Sequence, residues 1–172
     1  MLTAGNDAPN FTLCADTGEP IELASLRGQW VVLYFYPRDN TPLCTTQSCA
    51  FRDTFPDFTD REAVVMGISA DSVASHVKFR RRFNLPFPLL ADPDASVSKM
   101  YGVWKEKTLF GHKYMGIERT TFVIDPKGRL VRVFEKVKVR GHAAAVLAAI
   151  AASGEASDGA SDGASDERRG LA

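Results

Sequence analysis

The sequence predicts an α/β domain of three layers, a mixed central β-sheet flanked by helices. Three observations carry this expectation. Apolar runs of strand length alternate with stretches of helical length. The run Trp30–Tyr36 is apolar throughout, as in a strand covered on both faces. Late in the chain, Thr120–Asp125 and Leu130–Phe134 are joined by the tight-turn sequence Pro126-Lys127-Gly128, which adds an antiparallel pair.

Each element follows in order. Phe11–Cys14 and Ile21–Leu23 read as two short strands around the turn-rich segment 15–20. After Trp30–Tyr36, a helix is expected from Thr41 to about Phe55, with Pro42 suited to its first turn. Ala63–Ser69 is the next buried strand. Asp71 or Ser72 caps a helix reaching Phe83, with Val73 and Val77 on its apolar face; Arg80 comes next on that face and thins the stripe. Leu85–Leu90 carries two prolines and reads as a short or edge strand. Ser96–Tyr101 is a short helix ended by Gly102, and the alanine-rich segment His142–Ala152 closes the domain as a helix.

The domain is therefore expected to span 1–152. From Ser153 the composition changes: Ala-Ser-Asp-Gly occurs at 156–159 and again at 160–163, with no large apolar residue before Leu171. Such a segment cannot offset its ordering entropy, so 153–172 reads as a disordered low-complexity tail.

Composition excludes several function classes. The 172 residues are 45% hydrophobic and 24% charged, ample for one core without disulfide or metal staples. Lysine plus arginine equals aspartate plus glutamate at 21 each, so nothing calls for a nucleic acid or an anionic membrane as partner. No apolar run approaches the roughly 20 residues of a membrane span, and the N-terminus lacks the basic start and apolar stretch of a secretory signal. Three cysteines suit a reducing compartment, and the chain reads as cytoplasmic.

Chemistry concentrates in Pro37-Arg38-Asp39-Asn40-Thr41-Pro42-Leu43-Cys44-Thr45-Thr46-Gln47-Ser48-Cys49, where a buried strand turns into a helix. Amides at a helix N-terminus carry partial positive charge and bias a thiol there toward thiolate, the nucleophilic form. A thiol of pKa about 8.5 is about 3% ionised at pH 7, and one of about 6 is about 90% ionised. That gain is roughly 30-fold, or about 2 kcal/mol of barrier. Ionisation alone does not make a fast enzyme. The remainder must come from donors aimed at charge developing in the transition state. The Thr41 hydroxyl and the amides of Leu43 and Cys44 are candidates, Pro37 and Pro42 stiffen the loop, and Arg119 is the best candidate for a fixed cation. Cys49 offers an oxidised Cys44 somewhere to go.

Pro37, Thr41 and Cys44 reproduce the Pro-x-x-x-Thr-x-x-Cys signature of peroxiredoxins. The segments Tyr34–Pro37, Cys44–Cys49 and Phe51–Asp53, with Tyr114–Asp125 further on, resemble the Q-type, or bacterioferritin-comigratory, branch of that family. The likeness runs from about Ala8 to Ala151. One departure is Leu43, where the branch often has a smaller residue.

The resemblance implies a thioredoxin-like fold and thiol peroxidase activity toward hydrogen peroxide and organic hydroperoxides. Cys44 would be the peroxidatic cysteine, Thr41 and Arg119 would orient the peroxide, and Cys49 would resolve the sulfenate as a disulfide. Thioredoxin or a glutaredoxin-like donor would reduce that disulfide. No metal or organic cofactor is implied, and the branch is often monomeric, with a dimer left open. Geometry adds a constraint. Residues i and i+5 of a helix have Cα atoms about 8–9 Å apart, whereas a disulfide needs less than about 7 Å. The two thiols can bond only if the helix opens.

The remaining motifs have plainer readings. Cys14, on a predicted strand, reads as structural and is the alternative resolving thiol. His76, His112 and His142 are scattered and the cysteine spacing is not Cys-x-x-Cys, which argues against zinc. Lys78, Arg80, Arg81 and Arg82 read as a solvated helix face. A thioredoxin-type disulfide oxidoreductase would want Cys-x-x-Cys; a redox-sensing interaction protein is permitted by the tail but supported by no binding motif.

Overall fold

A computed structural model describes residues 2–154. In chain order it contains β1 (Thr12–Ala15), β2 (Pro20–Glu22), β3 (Trp30–Phe35), α1 (Pro42–Asp60), β4 (Ala63–Ser69), α2 (Val73–Phe83), β5 (Leu89–Ala91) and α3 (Ser96–Met100). There follow β6 (Trp104–Leu109), β7 (His112–Ile117), β8 (Thr120–Ile124) and β9 (Leu130–Phe134), then α4 over residues 142–154. The closing helix thus runs past the boundary expected at 152. The rest of the predicted tail lies outside the described residues.

The central sheet has the order β2-β1-β5-β4-β3-β8-β9. Strands β3, β4 and β5 are parallel and joined through α1 and α2, whereas β8 and β9 add antiparallel pairing at one side and β1 and β2 at the other. This is the mixed sheet the sequence predicts.

Alternation along β3 explains the layers. Val31, Leu33 and Phe35 point to one face, among Met66, Ile68, Tyr101 and Phe122, which α3 and the base of the β6–β7 hairpin cover. Val32, Tyr34 and Tyr36 point to the other, among Phe51, Phe58, Phe79, Val123 and Val146 from α1, α2, β8 and α4. Cys44 belongs to this second cluster. A strand buried on both faces has no polar side to alternate, which is why it reads as continuous apolar sequence.

Several expectations are corrected. Strand β5 is short but interior, hydrogen-bonded between β1 and β4, because Pro86 and Pro88 precede it rather than lie within it. Helix α1 continues through Pro56 to Asp60. The proline removes one helical hydrogen bond, and burial of Phe51 and Phe58 on either side of it offsets that loss. Helix α2 buries His76 and Phe79, not the Val73–Val77–Arg80 stripe. Arg80 is paired rather than simply solvated: its Nη1 donates to both Asp16 oxygens at 3.1 and 3.0 Å, and its Nε donates to the Leu85 carbonyl at 3.0 Å. Cys14 faces solvent, since β1 buries Leu13 and Ala15 instead.

One element escaped the sequence reading altogether. Strands β6 and β7 form a separate hairpin, turned at Phe110 (φ 50°) and Gly111 (φ 77°). Two positive φ values suit the tightest hairpin turn. Phe110 at this tip is 92% exposed.

Candidate active site

The site forms where β3 gives way to α1. Thr41 is the N-cap residue in extended conformation and Pro42 opens the helix. The Thr41 hydroxyl donates to the Arg38 carbonyl at 2.9 Å. The Thr41 side chain makes no capping bond, so among the described residues the first-turn amides around Cys44 stay uncapped. Cys44 itself is 1% exposed, whereas the preceding Leu43 is 60% exposed at the rim.

Arg119, between β7 and β8, reaches this helix start from a distant part of the chain. Register explains how: Thr120 pairs with Phe35, so the residue before β8 lies beside the loop leaving β3. One Arg119 amine, Nη2, lies 3.4 Å from Cys44 Sγ, and the other, Nη1, donates to Gln47 Oε1 at 2.5 Å. Gln47 follows Cys44 by three residues, hence on the same helix face, and is 1% exposed. Its Nε2 has no partner among the described residues.

Two further groups feel this charge. Lys107 on β6 is half-buried; desolvation, and then the Arg119 cation, push its ammonium below the ordinary lysine range, while Cys44 and Glu118 oppose the shift. His142, at the start of α4, is pushed down to about 4, chiefly by burial and secondarily by Arg119.

The support beneath Cys44 is aromatic. Tyr34 stacks on Phe51 at 4.8 Å and its hydroxyl lies 2.9 Å from Ser48 Oγ, tying β3 to α1. Burial drives the Tyr34 hydroxyl far above its ordinary range and keeps it protonated. Opposite Tyr34 on β4 stands Gly67, where a Cβ would come within 2.7 Å of the ring. The glycine is what lets the ring sit there.

Residues 4–133 match the AhpC/TSA family. The chain belongs to that family. It is 50% identical over 146 residues to a putative peroxiredoxin Bcp of Coxiella burnetii, covering 85% of this chain and 97% of that one. It is 47% identical over 146 residues to peroxiredoxin Bcp of Bacillus subtilis, with 85% and 93% coverage. Among solved structures, a cysteine-to-serine variant of Xylella fastidiosa PrxQ is 39% identical and superposes with a TM-score of 0.85 over 90% of this chain and 98% of that one. The Xanthomonas campestris bacterioferritin comigratory protein, described for its alkyl peroxide reduction, is 40% identical with a TM-score of 0.82, covering 87% and 98%. The molecule is thus a peroxiredoxin of the Bcp/PrxQ type, a thiol peroxidase with the thioredoxin-like fold.

In this peroxiredoxin the fold brings Cys44 and Arg119 into contact. Pro37 lies half-buried two residues beyond β3, and Thr41 holds the loop through Arg38. Cys49 is half-buried further along α1, and both thiols are free. The sequence motif contains Gln47 without marking a role for it; its helical spacing from Cys44 is the signal that points to one. The loop also carries a buried polar cluster: Asp39, Asp71 and His76 place ligand-type atoms within 4.8 Å of one another. Asp71 Oδ2 already accepts from Ser69 Oγ and the Asp39 amide, and Asp39 Oδ2 is bonded to Ser75 Oγ and the His76 ring.

Proposed function

We propose that Cys44 is the peroxidatic cysteine and Cys49 the resolving one, in the reduction of hydrogen peroxide and organic hydroperoxides. The observation that carries this reading is the Arg119 guanidinium 3.4 Å from a buried sulfur at an uncapped helix start. The cation and the amides interact more strongly with anionic sulfur than with neutral thiol. They also face the space where the departing oxygen gathers charge.

The thiolate attacks the terminal peroxide oxygen. An S–O bond forms, the O–O bond breaks, and the alkoxide or hydroxide leaves with the electron pair and takes up a proton. Cys44 becomes a sulfenic acid. The Cys49 thiolate then attacks that sulfur, the S–S bond forms, and water departs after protonation of the leaving hydroxide. A thioredoxin or glutaredoxin-like dithiol returns both cysteines to thiols by exchange and is itself oxidised. Thr41, with its hydroxyl proton committed to Arg38, keeps lone pairs for the peroxide O–H. Pro37 holds the start of the loop. Recycling by a dithiol suits a cytoplasmic monomer, and the alkyl peroxide work on the Xanthomonas campestris relative favours organic substrates.

Peroxide-driven turnover coupled to thioredoxin and its reductase tests the assignment. Cys44→Ser should abolish turnover, and Cys49→Ser should allow one oxidation without thioredoxin-supported cycling. Sustained turnover by Cys44→Ser would contradict it.

A further inference from the structure

Asp39 is the last buried residue before Cys44. Among residues 40–43, Asn40, Pro42 and Leu43 are exposed and Thr41 is half-buried. Asp39 itself is 7% exposed and His76, on α2, is fully buried. The Asp39 amide donates to Asp71 Oδ2 at 2.8 Å. Its Oδ1 accepts from the Tyr36 hydroxyl at 2.6 Å, and its Oδ2 accepts from Ser75 Oγ at 2.8 Å and lies 2.7 Å from His76 Nδ1. The far ring nitrogen, Nε2, donates to the Leu90 carbonyl at 2.9 Å. Both ring nitrogens are engaged, so the ring is held between the loop and β5. A buried side chain tied to three others, one of them a ring held at both nitrogens, is costly to break from either side.

Disulfide formation needs the start of α1 to open, because about 8–9 Å separates Cα atoms i and i+5 on an intact helix. We infer that the Asp39–His76 pair is a latch fixing the N-terminal boundary of the segment that opens, thereby positioning Thr41 and Cys44 for the peroxide step. Asp39 and His76 touch no reacting atom; they are positioning residues. With the latch intact, opening begins after Asp39 and the closed loop is held for oxidation. Without it the loop loosens, so oxidation slows while disulfide closure quickens. The inference rests on Cys44 being peroxidatic.

The test is stopped-flow tryptophan fluorescence with hydrogen peroxide, resolving oxidation of Cys44 from disulfide formation, on the full chain and on Asp39→Asn, Ser75→Ala and His76→Asn. Asp39→Asn should slow oxidation at least tenfold and speed disulfide formation severalfold. Ser75→Ala, which removes a single donor and spares the pair, should shift both rates the same ways by less. His76→Asn, which keeps a donor toward Asp39, should recover oxidation to within about threefold of the parent. Rates that fall together, or that stay put, would overturn the latch. Amide exchange over 37–43 of the reduced protein separates the two claims. Faster exchange in Asp39→Asn supports the latch even if Cys44→Ser retains peroxidase activity and the Cys44 assignment falls; unchanged exchange overturns it.

Discussion

His142 should make the protein acid-sensitive in a window set by its surroundings. The ring is 6% exposed, lies edge-on to Phe51 and Phe134 at centroid distances of 5.9 and 5.2 Å, and its Nε2 is 2.7 Å from Thr121 Oγ1. Charging it there means desolvating a cation at the positive end of α4 and close to Arg119. Its folded value of about 4 lies below the 6.5 of the unfolded chain. Between those values the unfolded state binds the extra proton, so stability is present above about 6.5 and is lost as pH falls toward 4. At about 1.36 kcal/mol per unit, the full shift is worth a ceiling of about 3 kcal/mol, of which about 2 is lost between pH 7 and 4.5. The assay is urea unfolding of the reduced protein across that range, beside His142→Gln. Carboxylate titrations are common to both proteins, so the difference isolates the ring. Parallel pH slopes in parent and variant would refute the reasoning.

Other outcomes follow from the same geometry. Arg119→Ala, which removes the donor to Cys44 Sγ and frees Gln47, should slow Cys44 oxidation by about 10²–10³, read by stopped flow with little change in unfolding midpoint. Gly67→Ala should destabilise by about 1–3 kcal/mol, because its Cβ would meet Tyr34 Cζ at 2.7 Å and Leu89 Cδ2 at 2.9 Å. Urea unfolding measures that loss, and the displaced Tyr34–Ser48 contact should lower peroxidase activity with it. Oxidation should raise amide exchange across 41–52, since α1 must open for Cys44 to meet Cys49; unchanged exchange there would contradict the opening.

The sequence made the fold legible wherever one signal dominated. Strand β3 and strand β4 are apolar because both their faces are covered, and the Pro126–Gly128 turn announced β8 and β9. The β6–β7 hairpin stays hidden because most of its residues are exposed, so neither face carries a core pattern; only its Phe110-Gly111 turn marks it. Helix α2 was found by its cap and length, but its buried face is held by His76, a polar residue whose partner Asp39 lies far back in the chain. The same limit applies to the site. Thr41 and Cys44 share a local motif, whereas the meeting of Arg119 with Gln47 and Cys44 is fixed by the β3–β8 register, which no local pattern encodes.

The central claim is that Cys44 is oxidised by peroxide and then bonded by Cys49. Peptide mass mapping after one equivalent of hydrogen peroxide, with remaining thiols blocked, addresses it directly. Trypsin should release Asp39–Arg52, which carries both cysteines. The account predicts that this peptide is lighter by two hydrogens and unblocked. Both thiols recovered blocked and unoxidised, or Cys49 free while Cys44 is joined to Cys14, would contradict it.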